Sequence, residues 1–114
     1  FQNCTSLTTA PELPATTLAN YCYQSMFAYC TSLISAPELS ATTLAYGCYR
    51  GMFRNCTNLS NVTCLAEENI NIDYSTDNWL YNVSSSGTFT KSPNATWPSG
   101  NNGIPSGWTV IDKN

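Results

Sequence analysis

Residues 1–26, FQNCTSLTTAPELPATTLANYCYQSM, are followed directly by residues 27–52, FAYCTSLISAPELSATTLAYGCYRGM. Seventeen of the 26 aligned positions are identical, which gives the consensus FxxCTSLxxAPELxATTLAxxCYxxM. A third copy begins at Phe53 as FRNCTNLSNVTCL and loses the pattern after Leu65. A repeat of this length predicts stacked coils, each of which buries its apolar side only against its neighbours.

Each coil divides into an extended part and a part with helical spacing. The extended part is Leu7–Leu13, where Pro11 (and Pro37 in the second copy) restricts strand pairing because proline has no N–H. We therefore expect strands of only two to four residues, paired in parallel from coil to coil.

The second part of each coil carries an apolar residue at every fourth position. This spacing predicts one apolar stripe of an α-helix, with Thr16 or Thr17 as its N-cap. The sequence thus predicts an α/β solenoid of the leucine-rich-repeat class, with parallel strands on one face and helices on the other. The stripe residues are Leu18, Cys22, Met26 and Cys30 in the first copy and Leu44, Cys48, Met52 and Cys56 in the second.

The composition changes after Leu65. We divide the chain into coils at 1–65, starting at residues 1, 27 and 53, and a C-terminal cap at 66–114. In the cap, residues 75–78 (STDN) look like a helix start, and residues 87–90 and 108–111 look like short strands. The tryptophans of this segment supply apolar surface to cover the last coil. Because Phe1 begins inside a coil, upstream repeats of the same chain are expected.

The charge balance excludes some partners. The chain has four Lys or Arg, seven Asp or Glu and no His, which argues against nucleic acid because phosphate binding needs a basic patch. No apolar run is long enough to span a membrane. No nucleotide-binding, metal-protease or hydrolase motif is present, and a triad that uses His cannot be built. We therefore expect no enzyme activity and no cofactor.

The coil MFxxCTSLxxAPELxATTLAxxCYxxMF resembles the leucine-rich repeats of the BspA-like surface proteins of gut Bacteroidales. The tail with NWLYNVSSSGTFTK and GIPSGWTV is similar to the segment that often follows such repeats, and similar repeats also occur in phages of those bacteria. The resemblance implies a secreted or cell-surface protein with a role in adhesion and binding. It supplies no catalytic residues.

Six cysteines raise the question of disulfides. Cys4, Cys30 and Cys56 repeat in register, as do Cys22 and Cys48, and a column of three cannot pair without a remainder. We expect a ladder of reduced, buried thiols; a Cys22–Cys48 disulfide is the alternative. Cys64 stands in the column of Glu12 and Glu38 and is expected to be half exposed.

Candidate ligand-binding residues lie at two kinds of position. Glu12 and Glu38 share a column, and their proximity follows from the repeat, so a stacked acidic pair is preferred to a glycosidase pair. Tyr21, Tyr29 and Tyr46 are not present in every coil, and variable positions on a constant frame suit ligand binding. Asp73, Asp77 and Asn78 offer oxygen atoms that suit calcium, but the EF-hand spacing is absent and a turn at a helix start explains Asp77 better, so no metal site is predicted.

Three interpretations of function remain open. The first is a non-catalytic binding or adhesion module at a bacterial cell surface, which holds a protein or a glycan. The second is a structural spacer or cap in a longer surface or phage-fibre protein. The third is an accessory part of a larger enzyme.

Overall fold

The chain winds in stacked coils without helices. The computed structural model describes residues 1–13 and 15–113. Within them the chain forms three strands, β1 (Asn61–Cys64), β2 (Thr88–Lys91) and β3 (Thr109–Asp112), and no helix. They form one parallel sheet in chain order. Parallel pairing of consecutive strands requires the chain to travel round and return between them.

The same column of paired residues continues into the first two coils. Thr9 pairs with Ser35, and Ser35 pairs with Asn61, both in parallel. Coil 1 (residues 1–26), coil 2 (residues 27–52) and the third coil, which begins at Phe53, are therefore stacked on one another. The turns at the end of each coil continue into the first four residues of the next copy, and these residues (27–30 and 53–56) are counted with the turns of the coil that they complete. The extended part predicted at Leu7–Leu13 is confirmed as the place where the coils pair.

Proline limits this pairing to single residues in coils 1 and 2. The N–H groups of Ala36 and Leu39 donate to the carbonyls of Asn61 and Thr63, both at 2.9 Å. Pro37 lies between the two donors and has no N–H to give. In the third coil Thr63 stands where the repeat has proline, and there a four-residue strand forms.

The predicted α/β solenoid with helices on one face is wrong. Residues 20–29 and 46–55 form runs of tight turns instead. In coil 1, five alternate N–H groups donate to the carbonyl three residues earlier, at 3.1–3.3 Å, and these donors are Cys22, Gln24, Met26, Ala28 and Cys30. The N–H groups between them donate to coil 2 at 2.8–3.0 Å, and these donors are Tyr21, Tyr23, Ser25, Phe27 and Tyr29. The backbone donors of this run are thus satisfied without α-helical bonds.

The outward corners of these turns have a fixed backbone pattern. The second residue of each corner has positive φ, as the third position of a type II turn requires. These residues are Tyr21, Ser25 and Tyr29 in coil 1, Gly47, Gly51 and Asn55 in coil 2, and Tyr74, Asn78 and Asn82 in the third coil. We call each such residue and the one before it a corner pair, and the surface made by the corner pairs the turn face. The helix expected to start at residues 75–78 is part of the same kind of run.

The core is built from columns of aromatic rings. Phe1, Phe27 and Phe53 stack with ring centroids 5.6 Å apart. A second column runs from Tyr23 through Tyr49 to Trp79, at 6.1 and 5.9 Å. Stacking of rings from successive coils adds specific contact to the burial of apolar surface.

The C-terminal segment covers the end of the second column. Trp97 stacks on Trp79 at 5.2 Å, and Phe89 meets both rings edge-on. The Trp79 indole N–H donates to the Gly103 carbonyl at 2.9 Å. Trp97 and Phe89 thus cover the last ring of the column.

The cysteines are free thiols, as expected. The Cys30 and Cys56 thiols donate to the carbonyls of Phe1 and Phe27, each at 2.9 Å. Burial raises the pKa of Cys48 to about 11 and that of Cys56 to about 12. A buried, protonated thiol behaves as a small apolar side chain.

Two expectations about the cysteines are wrong. Cys22 is exposed and Cys4 is partly exposed, although both were expected to be buried, because among the described residues no coil covers the outer side of coil 1. Cys64 is buried rather than half exposed. Leu39 pairs with Cys64 although Ser35 pairs with Asn61, so the third coil is one residue shorter here. A shift of one residue moves a side chain to the other face of a strand, and Cys64 therefore points inward.

Candidate ligand-binding face

Three exposed tyrosine rings follow one another across the turn face. Tyr21 and Tyr46 meet edge-to-face with centroids 5.3 Å apart, and Tyr46 meets Tyr74 in the same way at 5.7 Å. The residues are 44%, 39% and 54% exposed. We call these three residues the tyrosine strip; it crosses coils 1, 2 and 3.

The repeat itself explains why the rings come together. Tyr21 belongs to a corner pair of coil 1, and its counterpart in coil 2 is Gly47. A Cβ at Gly47 would lie only 2.6 Å from a ring carbon of Tyr21, so glycine is needed for this ring to lie across coil 2. Tyr46, the other residue of that corner pair, is then in edge contact with the Tyr21 ring.

Charge is concentrated at one end of the tyrosine strip. The Arg50 guanidinium lies 5.4 Å from the centroid of the Tyr74 ring, a cation–π distance. Its Nε is 3.5 Å from the Asp77 carboxylate. The adjacent Tyr21 side chain is the main cause that raises the pKa of Tyr46, and the negative charge of Asp73 adds to it. The Tyr46 phenol therefore stays protonated at neutral pH and acts as a hydroxyl.

A polar cleft adjoins the tyrosine strip. It has a volume of about 260 Å³, and we call it the corner cleft. The N–H groups of Ser25 and Gly51 donate to the carbonyls of Arg50 and Asp77, both at 2.9 Å, which aligns the three coils here. The cleft is lined by Gln24 and Ser25 of coil 1, by Arg50, Gly51 and Arg54 of coil 2, and by Asp77 and Asn78 of the third coil.

Arg54 lies at the far side of the corner cleft. Its guanidinium is 5.5 Å from the centroid of the Tyr29 ring. Its Nε is shielded from solvent and has no hydrogen-bond partner among the described residues. The aromatic ring offers this cation partial compensation, but no acceptor.

The predicted site residues occupy two separate parts of the coils. Tyr21 and Tyr46 are together in the tyrosine strip, and Tyr29 is on the same face beside Arg54. Glu12 and Glu38 lie in the extended parts, both exposed. Glu38 is 3.9 Å from the Lys113 ammonium, with both side chains about half exposed, so this pair is a weak surface contact.

Sequence reasoning missed Tyr74, Arg50 and Arg54, and considered Asp77 only as a calcium ligand. For the two arginines the signal was present in the comparison of the first two copies. Gln24-Ser25 in coil 1 becomes Arg50-Gly51 in coil 2, and Ala28-Tyr29 becomes Arg54-Asn55. Where two nearly identical copies differ at adjacent positions on a fixed period, the shared core does not dictate the side chain, and those positions are free to carry function.

A second cleft lies near the C-terminus, between Trp97 and Trp108, and also measures about 260 Å³. Its one charged group, Lys91, is fully engaged. The ammonium lies 2.8 Å from the Asp112 carboxylate and donates to the carbonyls of Ser92 and Ala95 at 3.2 and 3.1 Å. The indole Nε1 of Trp97 is shielded from solvent and has no hydrogen-bond partner among the described residues, so this cleft offers a ligand one unsatisfied donor but, unlike the corner cleft, no unpaired charge.

The chain was compared with protein-family models, with curated proteins and with solved structures, and none of the three comparisons finds a match. In residues 1–13 and 15–113 no helix has the length and apolar character to cross a membrane.

Proposed function

We propose that this chain is a non-catalytic glycan-binding module of a bacterial cell-surface or secreted protein, and that the turn face holds the ligand. The observation that carries the proposal is the tyrosine strip, three exposed rings aligned across three coils. The surface location is supported by the resemblance of the coils to BspA-like repeats.

Backbone strain supports a binding role for these tyrosines. Tyr21, Tyr29 and Tyr74 all have φ between 58° and 63°, a left-handed conformation that bulky side chains rarely adopt. At matching corners the chain uses Gly47, Gly51, Asn55, Asn78 and Asn82, which adopt it at lower cost. Side chains kept at strained positions are typical of functional sites.

The chemistry of the turn face favours a glycan over a protein. Aromatic rings stack on the C–H faces of sugars, while amides, hydroxyls and guanidinium groups bind sugar hydroxyls. Both kinds of group occur here, because the corner cleft beside the tyrosine strip is lined by polar side chains and Gly51. No aliphatic or aromatic side chain of the described residues lines this cleft, which suits the hydroxyl groups of a sugar better than the apolar core of a protein interface.

The repeat supplies matched variants for the test. Tyr46→Asn places at this corner the residue that coil 1 has at Asn20, so the fold is expected to tolerate it. Ile34→Thr places Thr8 of coil 1 in the extended part, and it removes a 53% exposed apolar side chain away from the corners. Wild type and both variants are applied to a glycan array, and hits are quantified by calorimetry.

We expect Tyr46→Asn to weaken glycan binding by about tenfold, because it removes the central ring of the strip, and Ile34→Thr to leave binding unchanged. The proposal fails if no glycan binds, as expected for a structural spacer, or if both variants bind as the wild type does. It also fails if a protein binds the turn face in place of any glycan.

A further inference from the structure

The corner cleft contains an unbalanced positive charge. Among the described residues Arg50 pairs with Asp77, Lys91 with Asp112 and Lys113 with Glu38. Within residues 1–13 and 15–113, Arg54 is the one Lys or Arg whose side-chain nitrogens have no carboxylate oxygen within 4 Å. The cleft thus holds two guanidinium groups and one carboxylate, in a protein whose net charge is −3.

The unbalanced charge sits in a partly desolvated place. Arg54 Nε is shielded from solvent without an acceptor, so the guanidinium keeps less hydration than a free arginine side chain does. An unpartnered buried donor next to a charge is costly. An anionic oxygen group in the cleft would supply the missing counter-charge, and arginine binds carboxylate and sulfate groups with paired N–H donors.

The cleft is also shaped to receive a group from the tyrosine strip. Gly51 leaves it open, since a Cβ there would lie 3.3 Å from the Ser25 hydroxyl. Arg50 belongs to both places, because it lines the cleft and also lies over the Tyr74 ring. A sugar chain lying on the strip therefore brings its substituents to the cleft. Gln24 and Asn78 add amide groups at the edges.

We propose that the corner cleft binds an anionic substituent, a carboxylate or a sulfate, of the glycan held on the tyrosine strip, with Arg54 as its main partner. This inference rests on the proposed function and adds the class of ligand: an acidic polysaccharide.

The test again uses residues that the repeat itself supplies. Arg54→Ala places Ala28 of coil 1 at the equivalent corner, and Arg50→Gln places Gln24 there. Lys113→Ala is the charge-matched control, since Lys113 is exposed and lies beside Glu38 in the extended part. Melting curves establish that all three variants fold.

Four probes separate the ligand chemistries. Oligogalacturonate carries carboxylates, and its methyl ester is the neutral counterpart. Dextran sulfate carries sulfates, and dextran is its neutral counterpart. Dissociation constants are measured for each probe at two salt concentrations.

We expect wild type to bind at least one acidic probe about tenfold or more tightly than its neutral counterpart. Arg54→Ala should abolish that preference without changing binding of the neutral probe. Arg50→Gln should reduce the preference, and Lys113→Ala should leave it intact. If Arg54→Ala loses the preference for oligogalacturonate, the ligand group is a carboxylate. If it loses the preference for dextran sulfate, the ligand group is a sulfate.

The outcomes distinguish the two proposals. If neutral and acidic probes bind equally, the anion site is overturned while glycan binding stands. If Lys113→Ala and Arg54→Ala weaken acidic probes equally, the attraction is general surface charge, and the anion site is also overturned. If no array glycan and no probe binds, both proposals fail together.

Discussion

Coils 1 and 2 have almost the same sequence and different surroundings. Leu39, Cys48 and Tyr49 of coil 2 are 0–1% exposed. The matching residues of coil 1 are less covered: Leu13 and Tyr23 are partly exposed, and Cys22 is exposed. The difference teaches that burial in this fold depends on having a coil on both sides and cannot be read from the residue type alone.

The largest loss of stability is expected at Leu39, which is covered on both sides, unlike its counterpart Leu13 in coil 1. Leu39→Lys places a charge in the core and should lower the free energy of unfolding by about 4 kcal/mol or more. Leu13→Lys lets the ammonium reach water and should cost about 1 kcal/mol. Urea unfolding of both variants measures the difference. Equal costs would show that the two coils are equally covered in solution.

The second largest loss of stability is expected at alkaline pH, through the buried thiols. Burial raises the pKa of Cys48 to about 11, and that of Cys56 and Cys64 to about 12, from 9.0. The pKa of such a thiol is higher in the folded chain than in the unfolded chain. Its contribution to stability is therefore fully present at pH values where the thiol is protonated in both the folded and the unfolded chain. That contribution is lost as pH rises from about 9 toward 12, where the unfolded chain releases protons first.

The measurement is the urea midpoint between pH 8 and 11, under reducing conditions. We expect it to fall steadily above pH 9. In Cys56→Ala the fall should be shallower, although the variant starts from a lower stability. A midpoint that is flat up to pH 11 would contradict the burial of these thiols.

A smaller effect is expected at the corners of coil 2. Gly47→Ala forces a Cβ to 2.6 Å from the Tyr21 ring at φ +59°, and should cost about 2 kcal/mol. Gly51→Ala has the same backbone strain, but its nearest contact is the Ser25 hydroxyl at 3.3 Å, so it should cost about 1 kcal/mol. Thermal melts compare the two. If Gly51→Ala is the more damaging, the Tyr21 ring does not lie over Gly47.

The smallest expected effect is a gain in stability, from Tyr29→Asn. Tyr29→Asn gives coil 1 the residue that coil 2 has at Asn55, where φ is 62° against 63° at Tyr29. Asparagine adopts this conformation more easily than tyrosine does. The free energy of unfolding should therefore rise by about 0.5 kcal/mol, even though the contact with Arg54 is lost. A destabilised Tyr29→Asn would mean that the ring contributes to stability rather than to binding.

The stacking of the coils was predictable from sequence because equivalent residues repeat every 26 positions. The repeated Phe1, Phe27 and Phe53 do form one stack, and the prolines do restrict strand pairing. The late strands near residues 88 and 109 were also foreseen, within one residue at each start. These features follow from local composition and from the repeat alone.

The helix was not correctly predicted because a period of four resembles a helical period of 3.6. In an α-helix, residues four apart drift by about 40° per step, so a strict period of four does not stay on one side for long. Two consecutive turns advance the chain four residues without that drift. Gly47 and Gly51, spaced by four inside the supposed helix, were the warning, because glycine is a poor helix former.

The candidate site was only half predictable for a related reason. Tyr21, Tyr29 and Tyr46 were identified because they vary between copies, but their partners lie in other coils. The contact of Tyr46 with Tyr74 depends on two extra residues in the third coil. Thr43 pairs with Glu68, 25 residues on. Gly47 donates to the carbonyl of Asp73, as Tyr21 donates to that of Tyr46, so the counterpart of Gly47 is Tyr74, 27 residues on. An alignment of two copies does not reveal such an offset in the third.

The alternating hydrogen bonds of the turn runs allow the side chains of the turn face to change in evolution. Backbone groups hold each coil to the next, so the first residue of a corner pair contributes little to holding the chain together. Its φ is not positive, except at Asp73, and many side chains are tolerated there, whereas the second residue is restricted by its positive φ. Tyr46, Arg50 and Arg54 are all first residues. Mutation at one position in every four can thus change ligand preference while stability stays nearly constant, so that specificity and folding are able to evolve separately.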